Sequence, residues 1–515
     1  MANPLFDALF APLEGRTRPL MYLPGDATLS GDAFHAMCLR AAGALKAAGL
    51  KPGDRVAVQA AKSPHMLAVY GGAVAAGVVF LPLNTGYTPE EIGYFLEDCG
   101  ASLLLADPAR AEALGPMAQR CGARLETVAP DGTGSFDALA AAQPAAFDVA
   151  ARGPEDLAAL LYTSGTTGRS KGAMLTQENL LSNARVLTEE WRFTEGDVLL
   201  HALPVFHTHG LFVATNITLL AGGAMIFLPG FDLDAMIGWM PKATAMMGVP
   251  TFYTRLLDDP RLTHELTGHM RLFVSGSAPL LAETHMAWEA RTGHRILERY
   301  GMTETNMITS NPHDGARKAG TVGFALPGVE LRIADPATGA PLPAGETGMI
   351  EVRGPNVFKG YWNMPEKTAE EFREDGFFIT GDLGRIDEDG YLSIVGRQKD
   401  LIITGGYNVY PKEIEQMLDD APGVRESAVI GVPHPDFGEA VLAVLVPEPG
   451  ASPDPVAIAA GLQGRIARFK QPKAILLIDS LPRNTMGKVQ KNLLRAQFSD
   501  HFAAPQARAS RSNGG

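Results

Sequence analysis

Residues 157–172 read LAALLYTSGTTGRSKG and join an apolar run to a polar loop rich in glycine. The apolar part, 157–162, has the length and composition of a buried strand. Glycines let the following backbone bend and approach a ligand closely, while hydroxyls, amides, Arg169 and Lys171 offer donors and positive charge. This combination is typical of a loop that cradles phosphates, although an ordinary Ser/Thr/Gly-rich surface loop has the same composition. The GxxxxGK[ST] pattern is absent, which argues against a P-loop NTPase.

Short apolar runs alternate with longer amphipathic ones on both sides of this stretch. Residues 64–76 predict a helix, and Thr88, Pro89 and Glu91 predict the start of another, with a cap and a capping box. Strands are predicted at 54–60, 78–83, 102–107, 157–162, 224–229 and 271–276. Strands that alternate with helices predict an α/β fold with doubly wound, mainly parallel sheets.

The pattern changes near Gly320, after which short strands punctuated by glycine and proline continue to Val395. We expect a β-rich subdomain there, at the end of a large N-terminal domain of residues 1–396. Residues 397–502 predict a small, mobile α+β domain. Its predicted elements are helices at 411–418 and 457–466 and strands at 427–432, 440–446 and 474–479. The tail, 503–515, lacks apolar periodicity and is expected to be disordered.

The 515-residue chain carries a formal net charge of −13. A non-specific nucleic-acid binder would need the opposite sign, so nucleic-acid partners are excluded and anionic ligands must depend on locally placed cations. The cysteines are far apart and form no CxxC pair, which fits a reducing compartment. The most apolar region, 198–228, is interrupted by histidine and proline and predicts no membrane span. With no signal-peptide pattern at the N-terminus, we expect a cytoplasmic protein.

Three local patterns suggest other chemistry, but each fails on spacing or context. Ser170 lies in a GxSxG match, yet it sits in a polar loop well past the strand end where a nucleophile elbow would place it. His264 and His269 are one residue too far apart to share the helical face of a zinc protease motif. His207 and His209 have no accompanying carboxylate cluster. A role outside hydrolysis and metal binding is therefore expected for all of them.

Four further segments make the phosphate loop a specific signal. They are YGMTE at 300–304, TGD at 380–382, GRQKD at 396–400 and PRNTMGK at 482–488. In this order, the five segments resemble the signature motifs of the adenylate-forming superfamily, which includes acyl-CoA synthetases, luciferases and the adenylation domains of peptide synthetases. The resemblance implies an acid–thiol ligase that uses ATP, Mg²⁺ and coenzyme A.

The resemblance also implies roles for individual residues in ATP binding. The residues that would hold the β- and γ-phosphates are Thr163, Ser164, Gly165, Thr166, Thr167, Gly168 and Lys171. Tyr300 would stack on the adenine beside Gly301. Asp382 would accept both ribose hydroxyls, and Arg397 would support it.

Catalysis, on the same resemblance, needs charge and orientation rather than a protein nucleophile. A carboxylate attacks the α-phosphorus of ATP, and pyrophosphate leaves. Glu304 and Thr163 would ligate Mg²⁺, because hard oxygen ligands suit a hard ion. Thr303 would contact the α-phosphate, and Lys488 would bridge it to the attacking carboxylate, where charge builds. Without the motif, Lys488 would be interpreted as an ordinary solvated lysine.

The second half-reaction is expected to use a different domain orientation. Members of the superfamily rotate the small domain about a hinge, and Lys399 occupies that position. The rotation would remove Lys488 and bring in the loop that contains Gly405, Gly406 and Tyr407. This loop would line the tunnel for the pantetheine arm of CoA.

The acid is suggested by Arg255, which stands in an otherwise apolar stretch just after Pro250 starts a helix. Burying an arginine is costly unless an anion meets it, and a second substrate carboxylate would be that anion. The surrounding stretches resemble those of malonyl-CoA synthetases, with His207, Ser277 and Met302 completing the pocket. A salt bridge from Arg255 to an acid such as Asp258 is the alternative.

We therefore expect ligation of malonate, with methylmalonate as a possible second acid, to CoA through an acyl-adenylate. Two alternatives stay open: a CoA ligase for a medium-chain or aryl monocarboxylic acid, and an adenylating module that loads a carrier protein. The superfamily also suggests regulation, since acetylation of Lys488 would remove its charge. A lysine acetyltransferase and a deacetylase are the partners that this implies.

Overall fold

The structure is a computed structural model, and the residues that it describes are 3–163, 170–404, 407–463, 465–484 and 487–502. The chain divides into two compact units. The first comprises Met1–Glu330 and Val352–Phe378, and the second comprises Leu331–Glu351 and Ile379–Gly515. The domain boundary predicted at residues 396 and 397 was placed beside a hinge about which the small domain would rotate, and it stays a prediction. The predicted tail, 503–515, lies outside the described residues.

The first unit holds the predicted alternation of strands and helices. Its strands are β1 Pro19–Tyr22, β2 Thr28–Ser30, β3 Arg55–Gln59, β4 Val79–Pro82, β5 Leu103–Ala106, β6 Arg124–Thr127, β7 Leu157–Thr163, β8 Lys171–Thr176, β9 Val198–His201, β10 Ala224–Phe227, β11 Ala245–Gly248, β12 Leu272–Ser275, β13 Leu297–Met302, β14 Asn306–Ser310 and β15 Phe324–Ala325. Its helices are α1 Pro4–Leu9, α2 Gly31–Ala47, α3 Pro64–Ala76, α4 Pro89–Cys99, α5 Ala111–Arg120, α6 Ser135–Ala141, α7 Gln177–Glu190, α8 Asn216–Leu220, α9 Leu233–Trp239, α10 Pro250–Leu257, α11 His264–Thr267, α12 Ala282–Thr292 and α13 Pro365–Glu370.

These strands form two large sheets, and the α/β fold class is confirmed. One sheet has six strands in the order β6-β5-β3-β4-β7-β8, all parallel except for β8. The other has nine strands in the order β15-β14-β13-β12-β11-β9-β10-β1-β2. Its central strands are parallel, and antiparallel strands close both edges. Parallel sheets need helices on their faces, which explains the alternation in the sequence.

Two helices show how the sequence fixes these layers. Thr88 and Glu91 form the predicted capping box at the start of α4, which contributes about 1 kcal/mol. Helix α3 is apolar on all sides and buried from Met66 to Ala76, as expected of a helix enclosed within a large fold. It packs against α2, where a Cβ on Gly72 would lie 2.7 Å from the Cβ of Ala41. The missing side chain therefore permits the close approach of the two helices.

The described residues of the second unit form two further sheets and three helices. Its elements are β16 Glu330–Ala334, β17 Gly348–Arg353, β18 Phe378–Ile386, β19 Leu392–Arg397, β20 Ile402–Thr404, β21 Tyr407–Val409, α14 Pro411–Asp419, β22 Val424–His434, β23 Gly438–Pro447, α15 Pro455–Leu462, β24 Ala474–Leu477 and α16 Lys491–Gln497. Strands β16 to β19 form one sheet in sequence order, and β20 to β24 form the other. Ile414 and Val429 belong to a buried apolar cluster between α14 and the second sheet. The expected smaller α+β part of the chain is confirmed.

No helix in the described part of the chain is long and apolar enough to cross a membrane.

Candidate functional site

The ends of the phosphate loop are fixed by the antiparallel strands β7 and β8. Thr163 is directly opposite Lys171 in their register, so the loop leaves and re-enters the sheet at adjacent positions. Five of its predicted phosphate-binding residues, Ser164, Gly165, Thr166, Thr167 and Gly168, lie outside the described residues. Thr163 and Lys171, the two that are described, thus lie side by side at the mouth of the loop.

Lys171 is held by an ion pair that the sequence motifs do not reveal. Its Nζ lies 2.8 Å from Glu371 Oε1 and 4.0 Å from the centroid of the Tyr361 ring. Tyr361 is placed there because residues 359–362 run alongside β8. Met174 N–H donates to the Gly360 carbonyl at 3.0 Å, and Trp362 N–H donates to the Gly172 carbonyl at 2.7 Å. Long-range pairing, rather than local spacing, creates this part of the site.

Glu304 lies in the tight turn that connects β13 to β14, and it is 5% exposed. The YGMTE segment is therefore the end of a strand and the turn that follows it. Tyr361 Oη lies 3.0 Å from Glu304 Oε1 and donates to Glu371 Oε2 at 2.6 Å. Burial raises the pKa of the Glu304 carboxyl. A buried carboxylate with so few partners is suited to a cation.

The donor set fits a magnesium ion that arrives with ATP. Among the described residues, no group of three or more His, Cys, Asp or Glu side chains is arranged to hold a metal by itself. Mg²⁺ is usually bound by one or two carboxylates together with substrate phosphates and water. Glu304 supplies one such carboxylate, and Thr163 supplies a hydroxyl oxygen in the same unit. The metal site would thus be completed by the nucleotide.

Arg299, one residue before Tyr300, is a buried cation that the sequence analysis missed. It is 3% exposed, and its Nε and Nη2 have no hydrogen-bond partner among the described residues. Burial lowers the pKa of its guanidinium to about 9, so it remains charged at neutral pH. A Cβ on Gly276 would lie 2.4 Å from Arg299 Cζ, and only glycine leaves this space. The nearby Glu298 carboxylate acts on this charge, but it leaves Nε and Nη2 without a hydrogen bond, and a buried cation of this kind favours an anionic ligand.

Polar groups from two other segments lie beside this arginine. His209 is 1% exposed, its Nδ1 is 3.3 Å from Ser277 Oγ, and its Nε2 has no partner among the described residues. Burial, together with the nearby Arg299 cation, lowers the pKa of His209 well below its usual value. Ser277 adopts φ = +70°, a costly conformation for a residue other than glycine. The backbone N–H of His209 donates to His207 Nδ1 at 3.3 Å.

The expectation that Arg255 is buried in an apolar pocket is wrong. Arg255 is exposed in the last turn of α10, and its guanidinium lies 5.5 Å from the ring centroid of Phe231. Within the described residues, no salt bridge joins it to Asp258, so the alternative is not observed either. A short helix has one face toward the core and another toward solvent, and sequence composition did not reveal which face Arg255 occupies. Its role as a substrate clamp stays a prediction.

A signal for Arg299 was present in the sequence. Residues 297–302 form a strand whose other members near the centre of the sheet are buried. A charged residue inside a buried strand must be paired or await a ligand. Arg299 lies within ILERYGM, directly before the YGMTE motif. A strand prediction for this stretch, combined with that rule, would have identified Arg299.

In the second unit, the structure brings together the predicted pair Asp382 and Arg397. These residues are opposite each other in the register of β18 and β19, and Arg397 Nε lies 3.1 Å from Asp382 Oδ1. Asp382 is 5% exposed, and its N–H donates to Thr380 Oγ1 at 3.1 Å. The carboxylate is therefore fixed in orientation before any ribose binds.

The remaining predicted residues of this unit lie on its surface. Lys488 is exposed, and its N–H donates to Asn484 Oδ1 at 3.0 Å. Burial, followed by the Arg397 cation, lowers the pKa of Lys399 to about 8. Tyr407 is 59% exposed and stacks on Phe469 at 4.7 Å between ring centroids. Gly405 and Gly406 lie outside the described residues.

The remaining first-unit residues from the motifs lie close to the strand end. Tyr300 is 8% exposed, and Gly301, Met302 and Thr303 are partly buried. Gly301 and Met302 are paired with Met307 and Asn306 in the hairpin of β13 and β14. Five consecutive residues, 300–304, therefore lie at the end of β13 and in the turn that follows it.

Comparison with known families identifies two matching stretches. Residues 14–362 match the family described as AMP-binding enzyme, and residues 413–488 match the AMP-binding enzyme C-terminal domain.

Similar proteins span nearly the whole chain. Malonate–CoA ligase of Arabidopsis thaliana is 38% identical over 487 residues, which cover 88% of this chain and 79% of that protein. Feruloyl-CoA synthase of an Amycolatopsis species is 39% identical over 463 residues, which cover 89% of this chain and 92% of that protein. The ATP-bound crystal structure of MatB from Rhodopseudomonas palustris has a TM-score of 0.95 and 58% identity, covering 98% of this chain and 100% of that chain.

Proposed function

The chain belongs to the AMP-binding enzyme family and is an adenylate-forming acyl-CoA synthetase with ATP and CoA as co-substrates, and we propose that its acid is malonate. Methylmalonate is the proposed second acid. The observation that carries the choice of acid is the buried Arg299 guanidinium with two unpaired nitrogens.

A dicarboxylate suits this arginine because only one of its carboxylates takes part in the reaction. The other can form a bidentate pair with the guanidinium, the strongest common arrangement for this cation. A fatty or aryl acid would leave a buried charge unpaired and would bind at a cost of several kcal/mol. Identity to these two relatives does not make this choice, since the malonate ligase and the feruloyl-CoA synthase are almost equally similar to the chain.

Neighbouring residues complete the proposed acid pocket. His209 and Ser277 form a hydrogen-bonded pair beside Arg299, and His207 and Met302 are the proposed further wall residues. Arg255 would contact the acid only after its side chain turns away from Phe231. We therefore assign the distal carboxylate to Arg299 and keep Arg255 as a secondary candidate.

In the proposed first half-reaction, the free carboxylate oxygen of malonate attacks the α-phosphorus of ATP, and pyrophosphate leaves. Mg²⁺, when bound with ATP, neutralises charge on the phosphate oxygens. Glu304 and Thr163 would hold it, and Thr303 would orient the α-phosphate. Lys488 would supply a positive charge that stabilises the negative charge developing on the phosphoryl oxygens in the transition state. These groups catalyse by orientation and electrostatics, since malonate itself is the nucleophile.

Other residues would fix the nucleotide. Tyr300 and Gly301 would contact the adenine, and Asp382, held by Arg397 at 3.1 Å, would accept the ribose hydroxyls. The phosphate loop with Lys171 would hold the β- and γ-phosphates.

In the proposed second half-reaction, the CoA thiol attacks the acyl carbon and AMP leaves. The hinge at Lys399 would allow the change between the two states. Tyr407 and its neighbours Gly405 and Gly406 would line the route of the pantetheine arm. The exposed position of Tyr407 supports a role in contacting a ligand rather than in the core.

The test is CoA-thioester formation with malonate, methylmalonate, acetate, octanoate and 4-coumarate, each at matched concentration. We expect malonate to have the highest kcat/KM, by at least about tenfold over every monocarboxylic acid, because they leave Arg299 unpaired. A higher kcat/KM for octanoate or 4-coumarate would overturn the dicarboxylate assignment and favour the monocarboxylic alternative.

The carrier-protein alternative has a separate test. If pyrophosphate release depends on malonate but no thioester forms with free CoA, the chain would load a carrier protein instead. Formation of malonyl-CoA at the rate of pyrophosphate release excludes that role.

Location and regulation extend the proposal. We propose a cytoplasmic enzyme in which acetylation of Lys488 removes the charge needed for adenylation. The exposure of this lysine is compatible with access by a modifying enzyme. Mass spectrometry of the protein from its native cells, with activity before and after deacetylation, tests both the modification and its effect.

A further inference from the structure

The ion pair at the mouth of the phosphate loop poses a problem for ATP binding. Lys171, proposed above to hold the triphosphate, is already neutralised by Glu371 at 2.8 Å. Both side chains are mostly buried, with 18% and 22% of their surfaces exposed. The carboxylate of Glu371 also carries negative charge close to where the triphosphate would bind. ATP binding therefore requires either that Glu371 releases Lys171 or that the triphosphate competes with Glu371 for this lysine.

A second lysine stands beside the same carboxylate oxygen. Lys367 Nζ lies 3.3 Å from Glu371 Oε1, the atom that Lys171 contacts. Lys367 is at the more exposed side, with 41% of its side chain accessible, and also pairs with Glu370 at 2.9 Å. It occupies α13, four residues before Glu371, a spacing at which helical charges meet. Glu371 can thus keep a cation when Lys171 leaves.

We propose that Glu371 is the resting counter-ion of Lys171, and that Lys367 takes over this carboxylate when the ATP triphosphate binds Lys171. This exchange leaves no charge unpaired. An unpaired charge in such a mostly buried position would be costly. Burial acts to raise the pKa of Glu371, but the hydrogen bonds from Lys171 and Tyr361 outweigh it and keep the carboxylate ionised.

Tyr361 links this exchange to the proposed metal ligand. Its hydroxyl has one proton and lies within hydrogen-bond distance of both Glu371 and Glu304, at 2.6 and 3.0 Å. When a cation binds Glu304, the Tyr361 hydroxyl can donate its proton to Glu371 alone. Binding of Mg²⁺ at Glu304 and release of Lys171 from Glu371 would therefore favour each other. This makes Tyr361, Glu371 and Lys367 positioning residues for the nucleotide.

The experiment is calorimetric titration of ATP with Mg²⁺ into the full chain, without acid or CoA, so that no turnover occurs. We expect Lys171→Met to weaken ATP binding at least tenfold, as loss of a phosphate-binding cation does. Glu371→Gln keeps the hydrogen bond to Tyr361 but frees Lys171, and should tighten binding about threefold to tenfold. Lys367→Met should weaken it about threefold.

The decisive comparison is Lys367→Met in the Glu371→Gln background. There the lysine has no charge to neutralise, so its replacement should no longer change the ATP dissociation constant. Lys359→Met is the matched control, because Lys359 lies in the same segment but pairs with Glu155 at 3.2 Å, away from Lys171. This control should bind ATP as the unmodified chain does.

The inference rests on the proposed assignment of Lys171 to the triphosphate, and the results separate the two. Unchanged ATP binding by Lys171→Met would overturn the assignment and the inference with it. Weaker binding by both Lys171→Met and Glu371→Gln would keep the assignment but refute the exchange, because Glu371 would then help Lys171 bind. The identity of the acid does not enter this measurement.

Discussion

Arg299 and Lys171 are two buried cations of the same unit, and they differ in whether the protein supplies their anion. Arg299 is 3% exposed and has two nitrogens without a partner among the described residues. Lys171 has Glu371 at 2.8 Å and the Tyr361 ring at 4.0 Å. The Arg299 site therefore lacks hydrogen-bond partners until a ligand binds, whereas the Lys171–Glu371 ion pair must break before Lys171 can bind a ligand.

The difference teaches how the two substrates are recognised. An unpaired buried charge costs about 1–3 kcal/mol or more of stability, but it penalises any acid that cannot neutralise it. In the proposed site this would give selectivity for a second carboxylate. A paired cation costs little folding stability in the absence of ligand, but its ligand must outcompete the anion that the protein already supplies. A triphosphate with Mg²⁺ carries enough charge to do so.

The largest expected effect tests the incomplete site. Arg299→Met should lower kcat/KM for malonate by about a hundredfold or more, since a desolvated charge pair contributes about 2–5 kcal/mol. The matched variant Arg255→Met, which removes an exposed arginine, should change it less than about tenfold. Steady-state kinetics with malonate at saturating ATP and CoA measure both.

The ATP dissociation constant and the thermal unfolding midpoint serve as controls for that pair of variants. Arg299→Met should bind ATP normally, because the loss concerns only the acid. A larger loss for Arg255→Met than for Arg299→Met would reverse the assignment and restore Arg255 as the clamp.

A smaller effect is expected where the site is complete. Tyr361→Phe removes the hydroxyl proton that Glu304 and Glu371 share, and should lower the free energy of unfolding by about 2 kcal/mol. Addition of Mg²⁺ and ATP should raise the unfolding midpoint more than in the unmodified chain, because a cation on Glu304 removes part of the defect.

Tyr70→Phe provides the control for this measurement. Tyr70 is fully buried, and its hydroxyl donates to Asn216 Oδ1 at 3.3 Å without contacting a carboxylate. It should lose stability while its response to Mg²⁺ and ATP stays unchanged. Equal responses of the two variants would refute the bridging role of Tyr361.

The smallest effect concerns pH and the histidine beside Arg299. The pKa of His209 is lowered well below 6.5 by burial, followed by the nearby Arg299 cation. The unfolded chain therefore binds more protons than the folded chain below pH 6.5, and stability should fall as the pH falls. Each such histidine contributes up to about 1.4 kcal/mol per pH unit.

His209→Gln should make this dependence shallower between pH 7 and pH 5, although His201 will still contribute. All four tryptophans lie in the first unit, so urea unfolding followed by tryptophan fluorescence reports on that unit. Parallel pH profiles for the variant and the unmodified chain would show that His209 does not titrate as the geometry requires.

Patterns within one segment predicted much of this molecule. The helix at 64–76 has the predicted bounds, and the Thr88 capping box is present. Asp382 and Arg397 were selected from separate motifs, and the structure pairs them. Such features depend on local propensity or on motif order, and both are written along the chain.

Contacts between distant segments were not predicted. Glu371 and Tyr361 reach Lys171 only because residues 359–362 pair with β8. The helix predicted at 457–466 is found at Pro455–Leu462, so it begins and ends earlier than predicted. No periodicity in the sequence contains this information.

The sequence by itself determined the α/β class, the order of the motifs and the reaction type, because each of these follows from residue types at short spacing. The tertiary structure decided which arginine is buried and which lysine is already paired. Burial is a property of the packed strands: Arg299, Gly276 and His209 come from three separate segments, and only folding removes water from between them. That desolvation would make Arg299 a demanding anion site, while Arg255 remains in solvent.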